Sequence, residues 1–129
     1  MKILVIGGSG FIGSHIHSSL SSTHKVIGTF FSNSPKNNAS GQFELLDIRD
    51  EISVKKLIAR AKPDLIVQVC GTKSIEYCAS NPDEARRIHV EGTRHIAETC
   101  QRFATRLAYI STDCVFDGSK SFFSEDDVT

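Results

Sequence analysis

The stretch KILVIGGSGFIG, residues 2–13, decides the fold of this chain. Its first part, KILVI, is short and rich in β-branched residues, which predicts a buried strand. We expect Gly7 to permit a tight turn, Gly10 to let the backbone approach a pyrophosphate, and Gly13 to let the following helix pack closely. Three glycines at this spacing exceed what a merely tight turn requires. A strand that runs through such a loop into a helix therefore predicts a dinucleotide site, because the first N–H groups of the helix face the phosphates.

Apolar runs alternate with helical patterns along the rest of the chain, which is typical of βαβ units and a parallel sheet. The predicted strands are residues 2–6, 25–30, 43–47, 65–70 and 107–111, with a loop at 32–42. One predicted helix follows the glycine loop. A second begins after the N-cap residue Asp50 and has an apolar face of Val54, Leu57, Ile58 and Ala61. A long third helix has Pro82 at its first position and Ala85, Ile88, Gly92, Ile96, Cys100 and Phe103 on one face.

These elements predict an α/β fold, a Rossmann-type doubly wound parallel sheet with strand order 3-2-1-4-5. In such sheets the ligand binds where the strand order reverses. We therefore expect the cofactor at the switch point between strands one and four.

Composition argues against several classes of function. The 129 residues have room for one domain, and their formal net charge is zero, so we expect no binding of nucleic acid or of an anionic membrane. No apolar run approaches the roughly 20 residues that span a bilayer, and the N-terminus lacks a signal-peptide pattern. The cysteines, Cys70, Cys78, Cys100 and Cys114, form no C-x-x-C pair. We expect buried, reduced thiols and a cytoplasmic protein.

The five histidines form no ligand set in the sequence. His15 and His17 are two residues apart on a predicted helix and face different directions. His95 lies four residues after Glu91, which is an ordinary helical pair. We expect no metal site.

The glycine spacing is G-x-x-G-x-x-G, with Phe11 and Ile12 before the last glycine. It resembles the spacing in the extended short-chain dehydrogenase/reductase family, whose members act largely on nucleotide-linked sugars. The resemblance implies that Phe11 and Ile12 lie at the cofactor with the three glycines. It also implies that Asp47 and Ile48, after the third strand, meet the adenine. The alternative is that this pair belongs to the N-cap region of the helix that begins at Asp50.

The end of the second strand bears on the choice of dinucleotide. An NAD site usually has an acidic residue there, which binds the ribose hydroxyls. This chain reads TFFSN at residues 29–33 and has no such acid. Ser32 and Asn33 can donate to a 2′-phosphate, and Lys36 can reach it, which favours NADP over NAD. The alternative is a solvated loop that permits either cofactor.

The segment YISTDCVFDG, residues 109–118, looks like the STDYVFDG stretch of the dTDP-4-dehydrorhamnose reductases. It is also similar to the matching stretch of the regulatory β subunits of methionine adenosyltransferase. Two further stretches resemble both families: CGTKSIEYCASNPDEA at 70–85 and IHVEGTRHIAE at 88–98. The resemblance implies that Val69, Cys70 and Gly71 contact the cofactor. It also implies that Thr112 is the catalytic Ser/Thr, which donates to the substrate carbonyl. The alternative for Thr112 is a strand-end threonine that caps a turn.

The chain departs from these families in three ways. Cys114 replaces their usual Tyr, and His89 replaces their usual Asn, although His89 can still bond to backbone from the long helix. The families also use a Tyr whose phenol is acidified by a Lys four residues later, because a phenol with a pKa of about 10 is otherwise a poor acid. Asn81 follows Tyr77 at this distance, and Asp113 follows Tyr109. Residues 1–129 therefore carry no dyad, and we expect no turnover by this chain alone.

Two functions follow from the resemblance. The first is the NAD(P)-binding part of a sugar-nucleotide reductase, truncated after the fifth strand and lacking the substrate-binding portion. The second is a non-catalytic NADP-binding regulatory subunit. In either case we expect self-association, because the fifth strand would lie at an open sheet edge and apolar surface near Ile88 and Ile96 would lack cover.

Overall fold

Five parallel strands form the centre of the computed structural model, which describes residues 1–35, 42–72 and 74–128. The strands are β1 (Lys2–Ile6), β2 (Lys25–Phe30), β3 (Gln42–Leu45), β4 (Leu65–Gln68) and β5 (Arg106–Tyr109). The α-helices are α1 (Phe11–Ser21), α2 (Glu51–Ala61), α3 (Ile75–Ser80), α4 (Pro82–Arg86) and α5 (Thr93–Arg102). The sheet order is β3-β2-β1-β4-β5, which confirms the predicted order. Because β1 pairs with both β2 and β4, the switch point lies between β1 and β4.

The two faces of the sheet bury separate apolar layers. Ile3 and Val5 point to one face and pack in a layer that includes Ile16 and Leu20 of α1. The opposite face, covered by α2 and α5, holds the larger layer: Leu4, Ile6, Ile27, Leu46, Ile48, Val54, Leu57, Ile58, Ala61, Ile66, Ile96 and Cys100. The alternation along β1 sends neighbouring residues to opposite layers, so β1 is buried on both sides.

Helix α2 follows the sequence prediction closely. The carboxylate of Asp50 accepts hydrogen bonds from the N–H groups of Ile52 and Ser53, which confirms it as the N-cap residue. The predicted apolar face is buried in full. The helix ends at Ala61, and Lys62 adopts a left-handed backbone conformation with φ of 45°.

The long third helix was predicted as one piece, and the backbone is helical without a break from Pro82 to Arg102. Within this run a π-helical turn at Arg87–Gly92 separates α4 from α5, and the sequence did not predict this turn. A Cβ atom on Gly92 would lie 2.7 Å from the side chain of Ile48, so glycine allows the close contact of this turn with the core. A π-helical turn has i→i+5 hydrogen bonds and so holds one residue more than a turn of α-helix. The spacing of the apolar residues does not reveal this extra residue.

Three strands end earlier than the apolar runs predicted. The predictions 43–47, 65–70 and 107–111 correspond to β3, β4 and β5, which end at residues 45, 68 and 109. One further backbone hydrogen bond follows each strand: Leu46 N to Phe30 O at 2.8 Å, Val69 N to Ile6 O at 3.0 Å, and Ile110 N to Gln68 O at 3.1 Å. Beyond these bonds the strands have no regular pairing, and the loops after them line a common cleft.

Several predictions about single side chains need correction. Ile96 does not lack cover: it is fully buried, and Ile88 packs against the same core. Cys100 is buried and Cys70 and Cys78 are half-buried, but Cys114 is exposed because it lies in a short 3-10 turn outside the sheet.

The histidines also separate as the helix geometry requires. His15 is exposed and His17 is buried, so they do face different directions. His95 does not pair with Glu91. Its Nδ1 lies 3.0 Å from the carbonyl oxygen of Ile48, and Glu91 instead contacts Arg86.

The described residues contain no group of three or more His, Cys, Asp or Glu residues arranged to hold a metal ion. None of their helices is long and apolar enough to cross a membrane.

Candidate functional site

A cleft of about 640 Å³ opens at the carboxyl ends of the strands, on both sides of the switch point. All the site residues predicted from the sequence line it: Gly7, Gly10, Phe11, Ile12, Gly13, Ser32, Asn33, Asp47, Ile48, Val69, Cys70, Gly71 and Thr112. They come from the loops after all five strands and from the first turn of α1. The structure therefore brings together residues that are up to 105 positions apart in the sequence.

The glycine loop has the geometry that its sequence predicts. Gly7 has a φ of +89°, a conformation that side chains disfavour, and the N–H of Gly10 closes the turn on the Gly7 carbonyl at 3.0 Å. A Cβ atom on Gly13 would lie only 2.1 Å from the Gly7 oxygen. Gly13 thus lets α1 approach closely, although its nearest neighbours are the loop residues Gly7 and Gly8 and not the strand.

The first turn of α1 presents backbone donors to the cleft. Its N-cap residue is Gly10, which has no side chain to cap the helix, and the first turn holds no acidic residue. The N–H groups of Phe11, Ile12 and Gly13 come before the first i→i−4 bond, made by Ser14 to Gly10. By contrast, Asp50 caps α2. An uncapped helix start inside a cleft suits an anionic ligand such as a pyrophosphate.

A threonine at the end of β2 fixes the glycine loop, and sequence reasoning missed it. Thr29 is 1% exposed. Its Oγ1 accepts a hydrogen bond from Gly7 N at 3.1 Å, and its carbonyl oxygen accepts one from Ser9 N at 3.3 Å. The available signal was a polar residue inside an otherwise apolar strand.

The loop after β2 contributes Phe31, Ser32 and Asn33 to the cleft. Phe31 is more than half exposed there. Lys36, the remaining residue predicted to reach a 2′-phosphate, lies outside the described residues.

Asp47 and Ile48 both line the cleft, but their side chains have different surroundings. The Asp47 carboxylate accepts from Arg49 Nε at 2.8 Å and from Arg49 Nη2 at 2.7 Å. These hydrogen bonds hold the pKa of Asp47 below its usual range, so it is ionised at neutral pH. Ile48 is nearly buried and its side chain packs in the core against Gly92. The helix cap belongs to Asp50, and Asp47 lines the cleft with its carboxylate bonded to Arg49.

Arg49 is a second residue that sequence reasoning missed. Besides Asp47, its guanidinium pairs with Glu84 and lies over the ring of Phe31, 4.8 Å from the ring centroid. Glu84 is 35 residues away in sequence, so no local pattern could reveal this arrangement.

The loop after β4 rests on the π-helical turn. The N–H of Thr72 donates to Nε2 of His89 at 3.3 Å, and Thr72 Oγ1 lies 2.9 Å from the same nitrogen. A Cβ on Gly71 would lie 2.8 Å from Cε1 of His89. This confirms that His89 bonds to backbone from within the helix. Burial raises the pKa of the Cys70 thiol to about 11, so Cys70 is not a thiolate at neutral pH.

Thr112 lies at the far wall of the cleft, after β5. Its Oγ1 accepts a hydrogen bond from the N–H of Cys114 at 3.2 Å, so it caps the short turn at Asp113–Val115. Both interpretations of Thr112 are therefore compatible with its location: the hydroxyl caps a turn and it also borders the cleft.

Comparison with known proteins identifies the family. The whole chain, residues 1–129, matches the family described as the RmlD substrate binding domain. The chain belongs to this family. Among the curated relatives, the methionine adenosyltransferase 2 subunit beta of Xenopus laevis is 27% identical over 98% of this chain and 37% of its own length. The chain thus spans well under half of that relative.

Two solved structures share the fold of this chain. The hypothetical dTDP-4-dehydrorhamnose reductase of Sulfolobus tokodaii superposes with a TM-score of 0.89 and 29% identity over 99% of this chain and 45% of its own. The UDP-glucose 4-epimerase of Thermus thermophilus, solved as a complex with NAD, has a TM-score of 0.76 and 24% identity over 83% of this chain and 36% of its own. The first match supports the resemblance to the reductases, and the second concerns the fold alone.

Proposed function

We propose that residues 1–129 form an NAD(P)-binding Rossmann domain of a sugar-nucleotide reductase similar to the dTDP-4-dehydrorhamnose reductases. The observation that carries this proposal is the uncapped start of α1, whose N–H groups at Phe11, Ile12 and Gly13 border the cleft at the switch point. Such donors match the charge of a pyrophosphate. The name of the Sulfolobus relative, a reductase, supports the class of reaction.

Each part of the cleft suits one part of the cofactor. The glycine loop, residues 7–13, would hold the pyrophosphate. Asp47 and Ile48 would meet the adenine, and Ser32 and Asn33 the ribose with its 2′-substituent. Val69, Cys70 and Gly71 would lie toward the nicotinamide, which supplies a hydride when bound. Thr112 would donate its hydroxyl to the substrate carbonyl and so orient the keto group.

The proposal favours NADP over NAD. No carboxylate at residues 30–33 would repel a 2′-phosphate or bind a ribose diol. Fluorescence titration of the purified chain with NADPH and NADH tests this, and we expect tighter binding of NADPH. A clear preference for NADH would contradict the assignment of the cofactor, and binding of neither would contradict the proposed function.

Catalysis by residues 1–129 alone is not expected. Thr112 can orient a carbonyl, but no Tyr-x-x-x-Lys pair is present in this sequence to deliver the proton. General acid catalysis is typically worth about 10²- to 10⁴-fold. Purified protein with NADPH and dTDP-4-dehydrorhamnose should therefore show no decrease in absorbance at the nicotinamide band. Turnover that disappears in Thr112→Val would contradict this and would imply a different acid.

A second function is supported by the relatives. The Xenopus protein is named as a subunit of methionine adenosyltransferase, and His89 and Cys114 depart from the reductase pattern. A non-catalytic NADP-binding regulatory subunit would bind the dinucleotide and also a partner enzyme. Tight NADPH binding without turnover, combined with binding of a methionine adenosyltransferase in calorimetry, would favour this function over the first.

We also propose self-association and a cytoplasmic location. Strand β5 is a sheet edge at which Tyr109 and Ile110 are about half exposed, and such edges tend to pair. Light scattering after size-exclusion chromatography should detect dimers or larger species, and a stable monomer at micromolar concentration would contradict this. Free thiols at Cys70 and Cys100 suit a reducing compartment.

A further inference from the structure

Arg49 is the source of positive charge in the cleft. Among the described residues that line the cleft, it is the sole lysine or arginine. Its guanidinium lies over Phe31, and Phe31 directly precedes Ser32 and Asn33 at the end of β2. In Rossmann folds this strand end is the position that contacts the 2′-substituent of the ribose. Although Arg49 comes from the loop after β3, its guanidinium lies beside the end of β2. Its charge is therefore located where a 2′-phosphate would be bound.

Asp47 fixes the orientation of this guanidinium and leaves part of it available. Arg49 Nε contacts the two carboxylate oxygens of Asp47 at 2.8 and 3.1 Å, and Nη2 contacts one of them at 2.7 Å. Nη1 donates to Glu84. These contacts use one N–H each of Nε, Nη1 and Nη2, out of the five N–H donors of a guanidinium. The described residues accept no hydrogen bond from the other two.

Glu84 can release Arg49 without losing an ionic partner. One oxygen of Glu84 accepts from Arg49, and the other lies 3.3 Å from Nη1 of Arg87. If an anion takes the place of Glu84 on Arg49, Glu84 keeps its contact with Arg87. The ion pairs around Arg49 therefore allow an incoming phosphate to exchange with a carboxylate, while Asp47 still holds the opposite edge.

We propose that Arg49 is the residue that distinguishes NADP from NAD in this cleft, by donating to the 2′-phosphate in exchange for Glu84. This inference rests on the proposed binding of a dinucleotide. A phosphate accepts two parallel N–H bonds from a guanidinium, and its charge strengthens them. The neutral 2′-hydroxyl of NAD gains little from the same contact.

Adenosine 2′,5′-bisphosphate and 5′-AMP test the inference directly, because they differ only in the 2′-phosphate. Calorimetric titration compares the wild-type protein with Arg49→Met, which keeps an apolar chain over Phe31. We expect the variant to lose about tenfold or more in affinity for the bisphosphate and less than about twofold for 5′-AMP. Glu84→Gln should bind the bisphosphate more tightly than the wild type, because it removes a competing charge.

Two matched variants control for other cations. Arg60→Met removes an exposed arginine that pairs with Glu44 outside the cleft, and it should leave both affinities unchanged. Lys36→Ala removes the lysine predicted from the sequence. Equal losses for both probes in Arg49→Met, or a larger bisphosphate loss in Lys36→Ala, would overturn the inference. If the wild-type protein binds neither probe nor NADPH, the proposed function itself fails.

Discussion

The hydroxyl oxygen of Thr29 accepts a hydrogen bond from the backbone N–H of Gly7 at 3.1 Å. This bond joins the end of β2 to the turn that begins the glycine loop. Gly7 has a positive φ and lies against Cys70, so the glycine loop contacts both β2 and the loop that follows β4. The shape of the proposed pyrophosphate site thus depends on a side chain of β2, which lies outside the glycine loop.

Thr29→Val should destabilise the protein and weaken dinucleotide binding. Valine has a similar shape but cannot accept a hydrogen bond, so the part-buried N–H of Gly7 would lose its partner. This loss should lower the free energy of unfolding by about 1–3 kcal/mol. Thr29→Ser keeps the oxygen and should retain more of the NADPH affinity. Urea unfolding and fluorescence titration of the two variants check this. Equal affinity for NADPH in both variants would show that the bond does not shape the loop.

The glycines at 10 and 13 should respond differently to substitution. A Cβ on Gly13 would overlap the Gly7 carbonyl, so Gly13→Ala should cost about 1–3 kcal/mol in the free energy of unfolding. A Cβ on Gly10 has its nearest neighbour at 3.3 Å, so Gly10→Ala should cost less, about 0.5–1 kcal/mol, mainly because alanine is the poorer N-cap residue. Chemical denaturation measures both.

Gly10→Val should separate binding from folding. We expect the fold to persist and NADPH affinity to fall, because the new side chain would occupy the path of the pyrophosphate. Calorimetric titration is the check, with circular dichroism to verify the fold. Unaltered affinity in a folded Gly10→Val variant would contradict the location of the pyrophosphate.

Stability should fall in mild acid because of His17. Its ring stacks on Phe43 with centroids 4.4 Å apart, it is 3% exposed, and Nε2 has no partner among the described residues. Burial lowers the pKa of His17. The unfolded chain, with a pKa near about 6.5, therefore binds more protons than the folded protein as the pH falls. The stabilisation is present above this pH and is lost below it, by at most about 1.4 kcal/mol per pH unit.

Thermal unfolding between pH 8 and pH 5 checks the role of His17. The wild-type protein and His15→Gln, which alters an exposed histidine, should lose stability together, while His17→Phe should lose less. An NMR titration of the wild-type imidazoles gives a second measure that does not depend on a variant. A His17 pKa at or above its ordinary value would refute the prediction.

The sequence predicted the centre of the fold better than its edges. The bounds of β1 and β2 were correct because both are short apolar runs with a turn or a loop at the end. Helix α3 was missed because its first residue, Ile75, is 87% exposed and the helix has no buried face. Its only local signal was Ser74, whose side chain caps Tyr77.

The candidate site also contains features that the sequence predicted and features that it did not. The glycine loop was predicted because its conformation needs residues of one type at fixed spacing. Arg49 was missed because its partners Glu84 and Phe31 come close only after the sheet forms. His89 was noted as a departure from the reductases, but its bond to Thr72 depends on the π-helical turn, which no periodicity predicted.

We propose that the start of α1 binds the pyrophosphate of a dinucleotide. The most direct test is a titration of ¹⁵N-labelled protein with NADPH, followed through the amide signals of Phe11, Ile12 and Gly13. We predict saturable shifts of these three signals, with small changes at the carboxyl end of α2, at Ala61 and Lys62, which lie outside the cleft. Unchanged signals at Phe11, Ile12 and Gly13 at saturating NADPH would contradict this role of α1.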